Sequence, residues 1–133
     1  MQRRVRYREC DPMGVVYHAH YVDWFEEART EALRDLGLPY AALEQDGVFM
    51  PVVDLAVRYH HPALYDDLVE IVTTVSDELP TTRVRFDYRV FRDGIEKPCC
   101  SAHVTLCFMD AETRRPIRAP KRVLETLEEV LGD

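Results

Sequence analysis

The stretch Glu9-Cys10-Asp11-Pro12-Met13-Gly14-Val15-Val16-Tyr17-His18 sets a carboxylate on a turn that runs directly into a long segment of helical periodicity. A carboxylate can attack a carbonyl carbon itself or take a proton from a water that does so. A helix start adds unpaired backbone N–H groups and a partial positive charge, suited to a carbonyl oxygen as it becomes an oxyanion. Together these parts suffice for acyl transfer. The competing reading is that Asp11 only caps a turn or a helix, a role in which Asp is favoured and which is commoner on local composition alone.

Other reactive side chains carry weaker signals. Five histidines, His18, His20, His60, His61 and His103, could suggest a metal. Yet His18 and His20, two apart on a helix, point to different sides, and consecutive His60 and His61 diverge in extended chain. The cysteines Cys10, Cys99, Cys100 and Cys107 lack zinc-type spacing, because adjacent thiolates do not easily ligate one tetrahedral ion. They read as reduced, partly buried thiols, and Cys10 has no identifiable base beside it. No metal and no cofactor is expected.

The elements that must position Asp11 follow from periodicity. Gln2 to Glu9 alternates loosely as a short strand, with Val5 and Tyr7 on one face. From about His18 to Leu36, Tyr21, Phe25, Ala28, Ala32 and Leu36 recur at helical spacing, with Trp24 and Leu33 beside them; Gly37 and Pro39 end the run. Phe25 and Trp24 are core residues by this pattern. A turn of helix over Tyr40 to Gln45 precedes strand patterns at Val53 to His60, Val69 to Val75, Arg83 to Arg92 and Cys100 to Phe108. Asp93-Gly94 marks a hairpin between the last two. Lys121 to Leu131 closes the chain as a helix. Strand, long helix and then at least four strands at hairpin-compatible separations predict an α+β fold with a mainly antiparallel sheet.

The 133 residues fit one domain spanning 1–133. Seventeen basic against twenty-four acidic residues, a net charge of -7, disfavour a sequence-independent grip on nucleic acid. No run approaches the ~20 apolar residues of a membrane span, and the start MQRRVRYREC has no apolar signal core. A cytoplasmic location is expected.

Three stretches carry a family resemblance. Arg6 to Arg29 resembles the signature of 4-hydroxybenzoyl-CoA thioesterase-like proteins: an Asp, a turn with Gly, two aliphatic residues, an aromatic, a further polar or aromatic residue and then a Tyr. Tyr59-His60-His61-Pro62-Ala63, followed by Asp66-Asp67-Leu68, is similar to the family's loop between its second and third strands. Ala102 to Asp110 with Thr113, Arg114, Arg115 and Pro116 is similar to its last strand and turn. The resemblance implies a hotdog fold, in which an antiparallel sheet wraps around one long central helix. It also implies hydrolysis of an acyl-CoA thioester to a carboxylic acid and CoA at a site shared between subunits.

By that match Asp11 is the catalytic carboxylate, as nucleophile or general base. His18 occupies the position whose backbone N–H polarises the thioester carbonyl, and Gly14 gives the turn backbone freedom beside the substrate. Tyr17 and Tyr21 stand near enough to contact the acyl group. The phosphates of CoA call for a local basic patch in this acidic chain, for which Thr82 with Arg83, and Arg118, Lys121 and Arg122, are the candidates; each alone also reads as ordinary solvated surface. The expected assembly is a homodimer or a homotetramer, because a single sheet around one helix leaves edges and a face uncovered. Two other readings compete: a non-catalytic acyl-CoA or acyl-carrier binding module, which the intact Asp11 turn argues against, and a thioesterase acting on acyl carrier protein, which needs an exposed basic docking surface.

Overall fold

A computed structural model describes residues 1–76 and 78–131. The chain forms β1 (Gln2–Arg4), a 3-10 turn (Tyr7–Glu9), α1 (His20–Asp35), α2 (Tyr40–Gln45), β2 (Val48–Phe49), β3 (Val52–Tyr59), β4 (Leu68–Val75), β5 (Arg83–Arg92), β6 (Cys100–Cys107), β7 (Met109–Asp110) and α3 (Lys121–Leu131). Among the described residues no helix is long and apolar enough to cross a membrane.

The apolar stripe of α1 becomes its buried side: Tyr21, Trp24, Phe25, Ala28 and Leu33 are all buried. Its end is set by backbone chemistry. Gly37 takes a φ of 80°, its N–H donates to the Arg34 carbonyl (3.0 Å), and the Leu38 N–H reaches back to the Leu33 carbonyl (2.8 Å). That pattern satisfies two carbonyls the helix cannot, and it drops Leu38 into the core.

Five strands pair antiparallel in the order β1, β4, β5, β6, β3, and β2 pairs separately with β7. Along β5 the alternation is strict: Val84, Phe86, Tyr88 and Val90 are buried, whereas Arg85 and Arg89 are exposed. Val69 and Ile71 of β4 and Val104 and Leu106 of β6 join them on the inner face. Against that face lies α1, the Phe25 ring stacked on Tyr88 at 4.7 Å between centroids. Buried Arg29 of the same helix donates to the hydroxyls of Tyr40 (2.7 Å) and Tyr88 (3.1 Å), so its charge ends in a polar contact. One central helix packed in an antiparallel sheet is the α+β hotdog arrangement expected from the sequence.

Some elements depart from expectation. The first strand stops at Arg4, because the Arg6 N–H donates to Glu9 Oε1 (2.8 Å) and the Glu9 N–H to the Arg6 carbonyl (3.0 Å), closing the chain into a turn. Tyr7 is therefore 80% exposed instead of sharing the core face with Val5. Helix α1 begins at His20, two residues after the expected His18, since the Tyr17 N–H is drawn back to the Glu9 carbonyl (2.8 Å). Strands β3 and β4, consecutive in the chain, are not neighbours: β3 lies beyond β6, and residues 60–67 cross to the other side of the sheet. The pair β2 and β7, two residues each, is too short to register as alternation.

Candidate functional site

The crossing segment passes under the entry to α1 and is stitched to it. Val16 N–H donates to the Ala63 carbonyl (2.9 Å), Val15 pairs with Leu64, and the buried Ala63 N–H donates to the Tyr21 hydroxyl (3.1 Å). Above it the Asp11 turn closes on itself. Asp11 N–H donates to the Val15 carbonyl (2.9 Å) and Gly14 N–H to the Asp11 carbonyl (2.9 Å), with Gly14 at a φ of 80° that a side chain would strain. Between turn, helix entry and crossing segment lies an open cleft of about 360 Å³ whose walls include Asp11, His18, Tyr21, Tyr59 and His61.

Asp11 and His18 in this cleft have spare hydrogen-bonding capacity, as does the buried Nε2 of His61, which has no partner among the described residues. Asp11 Oδ1 accepts the Met13 N–H (2.9 Å), the capping contact that composition favours, but Oδ2 has no partner among the described residues. One carboxylate oxygen thus holds the turn and the other is free. The amide of His18 donates to no acceptor among the described residues, whereas Tyr17 before it and His20 after it both donate to carbonyls (2.8 and 3.0 Å). The His18 carbonyl is held by the Tyr59 hydroxyl (2.8 Å), which fixes the chain beside that amide. An unpaired N–H at a helix start and a carboxylate in one cleft can polarise a carbonyl and deliver or activate a nucleophile.

Neighbouring groups are less reactive. Burial raises the Cys10 thiol above its ordinary pKa, and the charges of Asp11 and Glu9 push it the same way, so a thiolate beside Asp11 is disfavoured. Burial carries the Tyr21 phenol up to about 12, so Tyr21 enters the cleft wall as a neutral hydroxyl. His60 pairs with Ser101 (2.9 Å) and His103 with Asp54 (3.2 Å).

The remaining site residues expected from the sequence divide. Tyr17, 46% exposed, packs its ring on His18 at 4.3 Å and is not part of the cleft wall. Thr82 and Arg83 come together with Arg118, Lys121 and Arg122, because the Ala119 N–H donates to the Thr81 carbonyl (2.6 Å). Lys121 and Arg122 also meet Glu125 (3.7 Å) and Asp46 (3.5 Å). This basic group is at the opposite end of the sheet: Arg83 pairs with Cys107, Val90 with Cys100, and Cys100 with Tyr59 at the cleft. At about 3.3 Å per residue, the strand from Arg83 to Val90 separates the two by roughly 20 Å within one chain. Tyr59 is a cleft residue that sequence reasoning did not single out, and His61 was weighed there only among the histidines; both lie in the Tyr59-to-Ala63 stretch that carries the family resemblance.

Residues 5–127 match the model of the thioesterase-like superfamily. The chain belongs to that superfamily. It is a thioester hydrolase of hotdog fold, and its similarity to individual members runs nearly end to end. The acyl-CoA thioesterase YbgC of Haemophilus influenzae is 36% identical over 121 residues, covering 90% of this chain and 87% of that protein. The crystal structure of a DHNA-CoA thioesterase from Staphylococcus aureus superposes with a TM-score of 0.90 at 31% identity, covering 99% of this chain and 89% of the other. A hypothetical protein from Thermus thermophilus gives a TM-score of 0.88 at 35% identity, covering 98% and 97%.

Proposed function

We propose that this thioesterase hydrolyses acyl-CoA to a carboxylic acid and free CoA, with Asp11 as the reacting carboxylate and the His18 amide as oxyanion donor. The observation that carries the reading is that Asp11 and His18 line one cleft, with the Asp11 Oδ2 and the His18 N–H both without partners among the described residues. The names of the Haemophilus influenzae and Staphylococcus aureus proteins, both CoA thioesterases, support the substrate class. The thioester carbonyl oxygen meets the His18 amide, whose donation stabilises the negative charge that develops as the carbonyl carbon becomes tetrahedral. Asp11 either takes a proton from the attacking water or attacks the carbon itself to give an anhydride, which water then opens; in both, the sulfur leaves as the CoA thiolate. Tyr21 and Tyr59 line the acyl end.

The site takes in a second subunit. Among the described residues strand β3 bonds to β6 on one side only, and Val52, Val53, Leu55 and Tyr59 are each more than 40% exposed. A free, apolar edge of this kind pairs with another strand or is covered. Antiparallel pairing of two β3 strands across a twofold axis sets the Val52 end of one beside the Tyr59 end of the other. The basic group at the Val52 end of the sheet then stands near the neighbour's cleft. Arg83, Arg118, Lys121 and Arg122 bind the phosphates of a CoA whose thioester reacts in the other subunit's site.

Incubating the protein with a panel of acyl-CoAs and following free thiol tests the reading. Thiol release that disappears in Asp11→Asn supports it. Binding of acyl-CoA without thiol release from any member of the panel overturns it in favour of a binding module.

A further inference from the structure

Glu9 is a carboxylate only 7% exposed, two residues before Asp11. An ionised group at such a place needs donors from several directions, and Glu9 has three: Arg3 Nη2 (2.8 Å), Trp24 Nε1 (2.8 Å) and the Arg6 backbone N–H (2.8 Å). Arg3 in turn donates to Glu27 (2.9 Å) and stacks its guanidinium over the Trp24 ring at 5.0 Å. Trp24 and Glu27 both belong to α1. The side chain of Glu9 therefore ties the chain just before the Asp11 turn to the middle of that helix.

Its backbone ties the other flank. The Glu9 carbonyl accepts the Tyr17 N–H (2.8 Å), and Cys10 pairs with Val16 inside that contact. The loop bearing Asp11 is thus closed at its base by one residue, whose side chain is anchored to the helix that the His18 amide precedes.

We propose that Glu9 is a positioning residue, which fixes the Asp11 carboxylate relative to the His18 amide by holding both ends of the Asp11 loop against α1. The proposal rests on the catalytic reading of Asp11. Its physical basis is that displacement of a reacting group by about 1 Å costs on the order of 10²-fold in rate. The ionised form suits the place because a carboxylate only accepts, whereas an amide has one accepting oxygen and an NH₂ that would face a donor. Burial pushes the Glu9 carboxyl up, but the Arg6 amide, the Trp24 indole and Arg3 outweigh it and hold Glu9 below the usual glutamate range.

A double-mutant cycle tests the role. Glu9→Gln is measured alone and in Asp11→Asn, on one acyl-CoA, at a temperature where circular dichroism shows both proteins folded. In the otherwise native enzyme kcat should fall about 10-fold or more with KM within about twofold; in Asp11→Asn the same change should cost nothing further. An unchanged kcat in Glu9→Gln, or an equal additional loss in the Asp11→Asn background, overturns the positioning role while leaving Asp11 catalytic. Full activity of Asp11→Asn alone removes the reading of Asp11, and the role of Glu9 with it. If Glu9→Gln does not fold, Trp24→Phe removes one donor and keeps a packed ring. A smaller loss of kcat, about threefold and again absent in Asp11→Asn, is then expected, and no loss overturns the proposal.

Discussion

The two ends of the sheet differ in how their polar groups are held. At the cleft end the backbone is held by many hydrogen bonds, yet the His18 amide, one Asp11 carboxylate oxygen and the buried His61 Nε2 have no partner among the described residues. At the other end Thr82, Arg83, Arg118, Lys121 and Arg122 are all exposed, and two of the cations meet carboxylates only at 3.5 and 3.7 Å. Unsatisfied but fixed groups suit a transition state, which rewards preorganisation; solvated charges suit phosphates, which reward charge more than placement. On the proposed reading, chemistry and anchoring are separated along the sheet, and one substrate spans both only when a second subunit reverses its direction.

The largest effect should come from the cleft end. Asn at position 11 keeps an oxygen for the Met13 N–H and so keeps the turn, but it has neither the charge for a base nor a nucleophilic carboxylate. Asp11→Asn should lower turnover on the order of 10² or more with little change in melting temperature. Near-native turnover, with the substitution verified by mass, would end the contrast drawn between the two ends.

Next in size is the proposed dependence of that chemistry on a second copy. Sedimentation equilibrium at micromolar concentration should give a dimer or a larger assembly, and activity per chain should fall as dilution dissociates it. A species of monomer mass that hydrolyses acyl-CoA at full rate would mean that the far end of the sheet plays no part in the neighbour's cleft.

The basic end should respond more mildly and in a different parameter. Arg83→Ala with Lys121→Ala should raise KM for acyl-CoA several-fold while kcat holds, and should affect a truncated thioester without the nucleotide much less. Equal effects on both substrates would remove these residues from the anchoring role.

A test of the scaffold under the cleft sharpens the comparison at the level of stability. Tyr21→Phe deprives the buried Ala63 N–H of its acceptor and should cost about 1–3 kcal/mol, read from a urea midpoint. In the native protein burial raises Tyr21 to about 12, Cys99 to about 11 and Cys100 to about 12. A group whose folded pKa is raised contributes stability that is complete below its unfolded value and lost as pH rises through the folded one. Stability should therefore hold up to about pH 9, the ordinary thiol value, and decline as pH rises towards 12. A urea midpoint that stays flat over that range would show that these groups are not buried as described.

Much of the fold was legible because it rests on local pattern. The helix over Tyr40–Gln45 and the final helix from Lys121 stand where the residues indicated, and the alternation in β5 predicted its buried and exposed faces position by position. The first strand was read too long because Arg6 and Glu9 form a contact across three residues that alternation does not register. Glu9 itself was read only as the end of that strand. Only the approach of Trp24 and Arg3, from a helix and from a strand, makes it a buried anchor.

By itself the sequence determined the α+β class, the long central helix, the carboxylate on the turn before it and, through resemblance, the family, since each depends on residues close together in the chain. Tertiary structure alone decided that β3 leaves β4 and pairs with β6, because strand order depends on long-range backbone pairing that no local alternation encodes. That choice sends residues 60–67 under the helix entry and brings Tyr59 and His61 to Asp11. The same choice leaves β3 at the edge of the sheet among the described residues and carries the basic residues to the far end, which is why the residues proposed for site and anchor could be named from sequence but not related in space.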